Sequence, residues 1–445
     1  MSSQDASRSF RPSHLVIRGG VLIDETGERH ADVRVDGGVI VEVGSSIEVP
    51  SAATVIDATG MIVAPGLVDL HAHLREPGGE EAETILTGAR GAALGGFTAV
   101  VAMPNTSPAV DCPSVVRDVL ALAEGAACEI VPAAAMTVDR AGSLLVPMGE
   151  LAAMGVRVFT DDGNGVQDPS LMRRIMEYAT GLSAVTGGAP VVLAQHCETD
   201  ALSAGGHMNE GEWSTRLGIG GLPAESETLM MRRDIALARR TGAHIHFQHV
   251  STAEGVAIVR AAKEEGLRIT AEVTTHHFTL TDAACAEYDP VFKVQPPLRT
   301  ADDVAAIRAG LADGTIDAIA TDHAPHEPHT KEFPFDQASA GMLGLESALA
   351  VALSELDLPV ADIIGLMSWK PARIAGIGDR HGRPIARDEP ANLIVVDPNE
   401  SWTISGADMA SRSQNTPYEG RHVTGRVLHT IVFGEHVVDQ GVSSR

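Results

Sequence analysis

The chain has 445 residues, 44% of them hydrophobic and 21% charged, with a formal net charge of -26. That balance describes a globular protein with one large unit and something smaller, and it excludes a disordered or fibrous chain. So acidic a surface argues against nucleic acids and anionic membranes as general partners, and any anion site must be built from local positive charge.

The first twelve residues, MSSQDASRSFRP, are polar and read as a loose N-terminus rather than a signal peptide. Short β-branched runs follow at 14–24 and 32–43 and return at 392–397 and 423–438, punctuated by Gly and Asp. They predict antiparallel strands and hairpins, and hence a small β domain assembled from both termini.

Between these ends, apolar runs recur at 62–70, 97–103, 129–136, 156–160, 190–195, 244–250, 268–275 and 316–321. Helical periodicity follows most of them, at 81–94, 114–124, 170–183, 224–240 and 252–266. Eight strands alternating with helices predict an α/β fold, a (β/α)8 TIM-type barrel. The boundaries expected are 64–385 for the barrel and 1–63 plus 386–445 for the composite β domain. A doubly wound sheet is the runner-up, but no Gly-rich dinucleotide turn follows the first run. No apolar stretch is long enough to span a membrane. The four cysteines, Cys112, Cys128, Cys197 and Cys285, are scattered without a CxxC pair, as expected of reduced thiols in a cytoplasm.

Barrel chemistry gathers at the C-terminal ends of the strands. The first run ends in His71-Ala72-His73, with Arg75 just beyond, and the second in Met103-Pro104-Asn105. The fourth ends in Asp161-Asp162, the fifth in His196, the sixth in His249 and the eighth in Asp322-His323, with His326 following. Residues i and i+2 of a strand share a face, so His71 and His73 can aim two imidazoles at one point. Four histidines and two aspartates exceed the needs of one tetrahedral ion and suit two metals bridged by a carboxylate. Taken singly, each histidine reads as a core residue; the joint pattern argues for ligation. Arg75 reads as an anion contact or a surface ion pair, and Asn105 as a contact or a helix cap. His276 and His277 exceed the ligand count and read as structural or supporting residues. The polar stretch 326–341 reads equally as a lid over the site or a static surface loop.

Several segments together resemble the dihydroorotases of the bacterial class I type, in the amidohydrolase superfamily. They are PGLVDLHAHLREPG, AMPNTSPAVD, FTDDGNGVQD, AQHCE, the HVS after His246, ITAEVT, PPLR, GTIDAIATDHAPH, GMLGLES and NTPYEG. The likeness runs from about residue 14 to residue 440. It implies a barrel with a composite β domain and the reversible, water-releasing cyclisation of N-carbamoyl-L-aspartate to dihydroorotate, the third step of pyrimidine synthesis. It implies two zinc ions, one held by His71, His73 and Asp322, the other by His196 and His249, with Asp162 between them and Asp322 as the catalytic acid and base. His73, Arg75, Asn105, Gln295, His326, Ala340 and Gly341 correspond to substrate contacts. Many relatives bridge their metals with a carboxylated lysine, but no lysine lies in 151–170, so an aspartate bridge is required, which points away from hydantoinases.

Gln295 stands where the family has asparagine, Ser339-Ala340-Gly341 where it has PFG or RPG, and TTHH at 274–277 lacks the usual proline. A homodimer, and association with aspartate transcarbamoylase, are partner expectations at family level. The alternatives are an allantoinase or hydantoinase, and a non-catalytic partner of the transcarbamoylase.

Overall fold

The structure, a computed structural model, describes residues 10–445. The loose N-terminus expected over 1–12 lies outside the described residues as far as residue 9.

All eight apolar runs contain strands. Leu67–Ala72, Phe97–Ala102 and Glu129–Pro132 form one parallel arc. Val158–Phe159, Val192–Gln195, Ile245–Phe247, Ile269–Thr274 and Ala318–Ala320 form the other. The arcs meet at two parallel bridges, Ala134 to Phe159 and Ala72 to His323. The result is the (β/α)8 barrel with a β domain.

Alternation fills it. Val68 and Leu70, Ala99 and Val101, Val131 and Ala133, Val192 and Ala194, and Ala318 and Ala320 form one buried cluster, closed by Ala372, Ile374, Ala375 and Ile377. Intervening residues such as Leu67, Val100, Ile130, Leu193 and Ile319 pack with the helices in a second, larger core. The inner residues are mostly Ala and Val, as a narrow barrel requires when aromatics make up only 3% of the chain.

The helices begin where their start signals stand. Pro113 and Pro169 open Pro113–Leu122 and Pro169–Gly181, and Asp168 caps the latter by accepting from Ser170 N. Thr252 accepts from Gly255 N ahead of Ala253–Glu264.

Both termini build the β domain, but in two sheets. Leu15–Arg18, Asp32–Asp36, Val39–Gly44 and Thr54–Asp57 form a four-stranded sheet. Val21–Asp24, Gly27–His30 and Ile62–Pro65 join Leu393–Thr403, His422–Val432, Glu435–Asp439 and Val442–Ser443 in a seven-stranded sheet. Not every pairing is antiparallel: Leu15–Arg18 runs parallel to Thr54–Asp57, and Val21–Asp24 to Ile62–Pro65. The first described residue meets the C-terminal one, with the Arg445 guanidinium 5.0 Å from the Phe10 ring centre.

The run at 62–70 is two strands. Ile62–Pro65 pairs with Leu393–Val396 in the β domain, and Leu67–Ala72 opens the barrel. Gly66 lies between them, where a Cβ would fall 2.1 Å from Thr98 Cγ2.

Candidate metal centre and active site

The strand tips depart from regular geometry where their side chains are needed. A register shift between Asp69 and Ala72 separates the apolar filling from the histidines above it. His249 and Asp322 have φ of 32° and 46°, and Arg75 beyond the first strand has 60°. Non-glycine residues rarely occupy this region, and strain of this kind clusters at working sites.

These turns bring the ligand candidates together. His71 Nε2 lies 3.1 Å from Asp162 Oδ1 and 3.5 Å from Asp322 Oδ1. His73 Nε2 lies 3.0 Å from Asp322 Oδ1 and 3.6 Å from Asp162 Oδ2. Opposite them, His196 Nδ1 and His249 Nε2 are 2.9 Å apart, and His196 Nδ1 is 3.8 Å from Asp162 Oδ1. Two ligand groups result, His71-His73-Asp162 and Asp162-His196-His249, sharing one carboxylate. All six side chains are buried.

The donors fit a pair of metal ions. His71 Nε2 is buried without a well-formed hydrogen bond, although two carboxylates face it. A buried polar atom left so is costly unless something binds it. Burial opposes ionisation of Asp162, but His71, His73 and His196 outweigh it and hold the carboxyl well below its ordinary range. Asp322 is likewise held down by His71, His73 and His249 against its burial. Burial, with His196 and His71 beside it, lowers His249 to about 3, so this ring is neutral and ready to ligate.

Asp161, the neighbour of Asp162, turns elsewhere. Its Oδ1 accepts from Met136 N at 2.8 Å and Thr137 N at 2.9 Å, pinning the end of the third strand.

A further layer orients the rings. His71 Nδ1 lies 2.9 Å from Glu272 Oε1, and Glu272 Oε2 lies 3.1 Å from His246 Nε2. Glu198 Oε2 is 3.2 Å from His196 Nε2 and also accepts from Gln295 Nε2. Asn105 Oδ1 is 2.9 Å from His73 Nδ1, so Asn105 supports a ligand ring rather than capping a helix. Sequence reasoning missed Glu198 and Glu272, although both lie inside segments it singled out, AQHCE and ITAEVT. His277 holds the carbonyl of Pro296 at 3.1 Å and Thr274 Oγ1 at 2.8 Å, a structural task beside Gln295.

Above the ligands lies a cavity of about 200 Å³, bordered by His73, Arg75, Asn105, Gln295, His326, Ala340 and Gly341 together with ligands. Arg75 Nε donates to Pro325 O at 3.0 Å, and its Nη2 lies 3.3 Å from His326 Nε2. Burial, with Arg75 adjacent, lowers His326 to about 3, so Arg75 carries the positive charge at this wall. The segment bearing Ala340 and Gly341 is anchored. Phe335 is buried with Met208 and Cys285, and Lys331 Nζ donates to Pro290 O at 3.0 Å. A larger cavity of about 330 Å³ beside Glu346 and Trp402 gathers no metal-ligand set among the described residues.

The fold superposes on L-hydantoinase from Arthrobacter aurescens with a TM-score of 0.86 at 21% identity, over 97% of this chain and 98% of that one. Dihydropyrimidinase from Brevibacillus agri gives 0.82 at 23%, over 96% of each chain. The fold is the one these structures share, a barrel with a β domain, and the paired ligand groups at the barrel mouth form a candidate binuclear metal site.

The sequence narrows the class. A family model described as Dihydro-orotase-like matches residues 60–255. The dihydroorotase of Mycobacterium leprae is 47% identical over 94% of this chain and 97% of its own length. That of Streptomyces coelicolor is 46% identical over 96% and 99%. The chain belongs to the dihydroorotase family and is a cyclic amide hydrolase.

Proposed function

We propose that this barrel mouth interconverts N-carbamoyl-L-aspartate and dihydroorotate, using two zinc ions. The observation that carries the reading is Asp162, one carboxylate shared by two ligand groups, with Arg75 at the wall of the same cavity. His71, His73 and Asp322 would hold one ion, His196 and His249 the other, and Asp162 both. Imidazole and carboxylate donors suit zinc. When bound, the ions supply Lewis acidity and lower the pKa of water towards neutrality.

The chain's own residues do the rest. Arg75 pairs with the substrate's α-carboxylate, supplying the positive charge that a chain of net charge -26 withholds elsewhere. Asn105 and His326 orient the same end. The main chain of Ala340 and Gly341 lies beside His326, with Ala340 O 2.7 Å from its Nε2, and Gln295 lines the cavity next to Glu198. In ring opening, Asp322 accepts the proton of the attacking water and delivers it to the departing ring nitrogen. In ring closure the carbamoyl nitrogen attacks the protonated side-chain carboxyl group, and Asp322 takes the nitrogen's proton and returns it to the departing hydroxyl, which leaves as water.

The site belongs to the barrel domain, whose N-terminal boundary is better set after Pro65 than at 64, because Ile62–Pro65 pairs within the β domain. No helix among the described residues is long and apolar enough to cross a membrane, and a cytoplasmic location fits the scattered thiols. A homodimer, with or without a transcarbamoylase, is the assembly to look for by sedimentation. Turnover of dihydroorotate by the purified chain, with metal analysis, tests the proposal. Preference for hydantoin or allantoin in the same assay would overturn it. Absence of turnover in the zinc-loaded chain would favour the scaffold reading.

A further inference from the structure

Away from the barrel mouth, the described residues gather one more set of metal donors. His429 lies in His422–Val432, and His436 and Asp439 lie in its antiparallel neighbour Glu435–Asp439. A register shift between Thr430 and Ile431 interrupts that pairing. His429 Nδ1 is 3.0 Å from His436 Nε2 and 3.3 Å from Asp439 Oδ1, and His436 Nε2 is 3.9 Å from the same oxygen. None of the three borders the cavity above the barrel ligands.

The spacing suits an ion. A tetrahedral zinc with ligands at about 2.0–2.1 Å sets its donor atoms roughly 3.3–3.4 Å apart, and the three separations straddle that value. Two imidazoles and a carboxylate select a borderline transition ion over calcium or magnesium, which prefer oxygen. Gln440 completes the arrangement, with its amide nitrogen 3.3 Å from His429 Nε2. Turned by half a rotation, that amide accepts from Nε2–H and leaves the Nδ1 lone pair for the metal. The Asp439 side chain is 67% exposed, so a fourth position opens to water.

We propose that His429, His436 and Asp439 form a separate site for one zinc-like divalent ion, which ties together the paired strands His422–Val432 and Glu435–Asp439 of the β domain. Its role is structural, because nothing in amide hydrolysis uses these residues.

The test uses the full chain saturated with Zn2+, freed of excess metal and titrated with a chromophoric chelator. His436→Ala and Asp439→Asn are compared with the parent. Asp439→Asn changes an exposed side chain and is expected to leave the fold intact. The expected result is one zinc fewer per chain, or one zinc bound at least about tenfold more weakly, with unchanged turnover of dihydroorotate. Equal zinc content and affinity in all three proteins would overturn the proposal and leave a hydrogen-bonded pair of rings. The readout is a difference between variants, so it does not depend on how many ions the barrel holds.

Discussion

Glu272 Oε1 lies 2.9 Å from His71 Nδ1, which leaves the Nε2 of that ring facing Asp162 and Asp322. Burial opposes the charge on Glu272, but His246 and His71 outweigh it and bring its pKa down to about 2. A carboxylate in this position fixes the tautomer and raises the basicity of a ligating imidazole. Glu272→Gln keeps the shape and removes the charge. Metal affinity should fall about 10–100-fold, the usual cost of losing such a partner. Chelator competition measures it, and an unchanged affinity would show that His71 needs no orienting carboxylate.

Asp322 combines a left-handed backbone, φ 46°, with a carboxylate 3.0 Å from His73 Nε2. Asparagine tolerates that backbone region better than alanine does, so Asp322→Asn should fold normally. It cannot take up a proton as a carboxylate does. Turnover should drop by roughly 10²–10⁴, the range for loss of a general acid–base group. Thermal unfolding controls for the fold, and near-normal kcat would remove Asp322 from the proton path.

Arg75 has its Nε committed to Pro325 O, which aims the rest of the guanidinium along the cavity wall near His326. Lysine keeps the charge and loses the planar fork. A charged hydrogen bond of about 1.5–3 kcal/mol corresponds to a change in KM of roughly tenfold to a hundredfold. Arg75→Lys should raise KM for dihydroorotate by that factor and change kcat much less. A fall confined to kcat would place Arg75 in the chemical step instead.

The pattern of strands was legible because burial on both faces demands continuous apolar runs, and each of the eight ends near a polar residue. The convergence of His71, His73, Asp162, His196, His249 and Asp322 was legible for the same reason: barrel topology places strand ends at one mouth. What local sequence could not carry was pairing at long range. Glu272 is 201 residues from the histidine it orients, and Gln295 is 97 from Glu198. The positive φ angles at Arg75, His249 and Asp322 were hidden as well, since none is a glycine and His and Asp adopt this region only occasionally. The split of 62–70 into two strands was hidden too, and the close approach of Gly66 to Thr98 between them appears only once the barrel is built.

Glu129 offers a test of stability independent of catalysis. It opens the third barrel strand and is buried against the segment that follows the last helices: Arg380 Nη2 lies 2.8 Å from its Oε1 and His381 Nε2 2.7 Å from its Oε2. His381 Nδ1 in turn lies 3.0 Å from Thr98 Oγ1 on the second strand. Burial opposes the charge on Glu129, but His381 and Arg380 outweigh it and lower its pKa to about 2. A carboxyl group with a lower pKa folded than unfolded stabilises fully above the unfolded value of about 4.3, and that contribution fades as pH falls towards the folded value. A shift of about two units corresponds to on the order of 3 kcal/mol. Glu129→Gln should therefore cost roughly 2–4 kcal/mol at pH 7, in line with breaking a buried ion pair. The gap between parent and variant should narrow steadily below about pH 4, as the parent's carboxylate is protonated on unfolding. Urea unfolding of both proteins at pH 7 and again at about pH 3, between the unfolded and folded values, measures the gap, and a difference independent of pH would mean that packing, rather than charge, accounts for the contribution of Glu129.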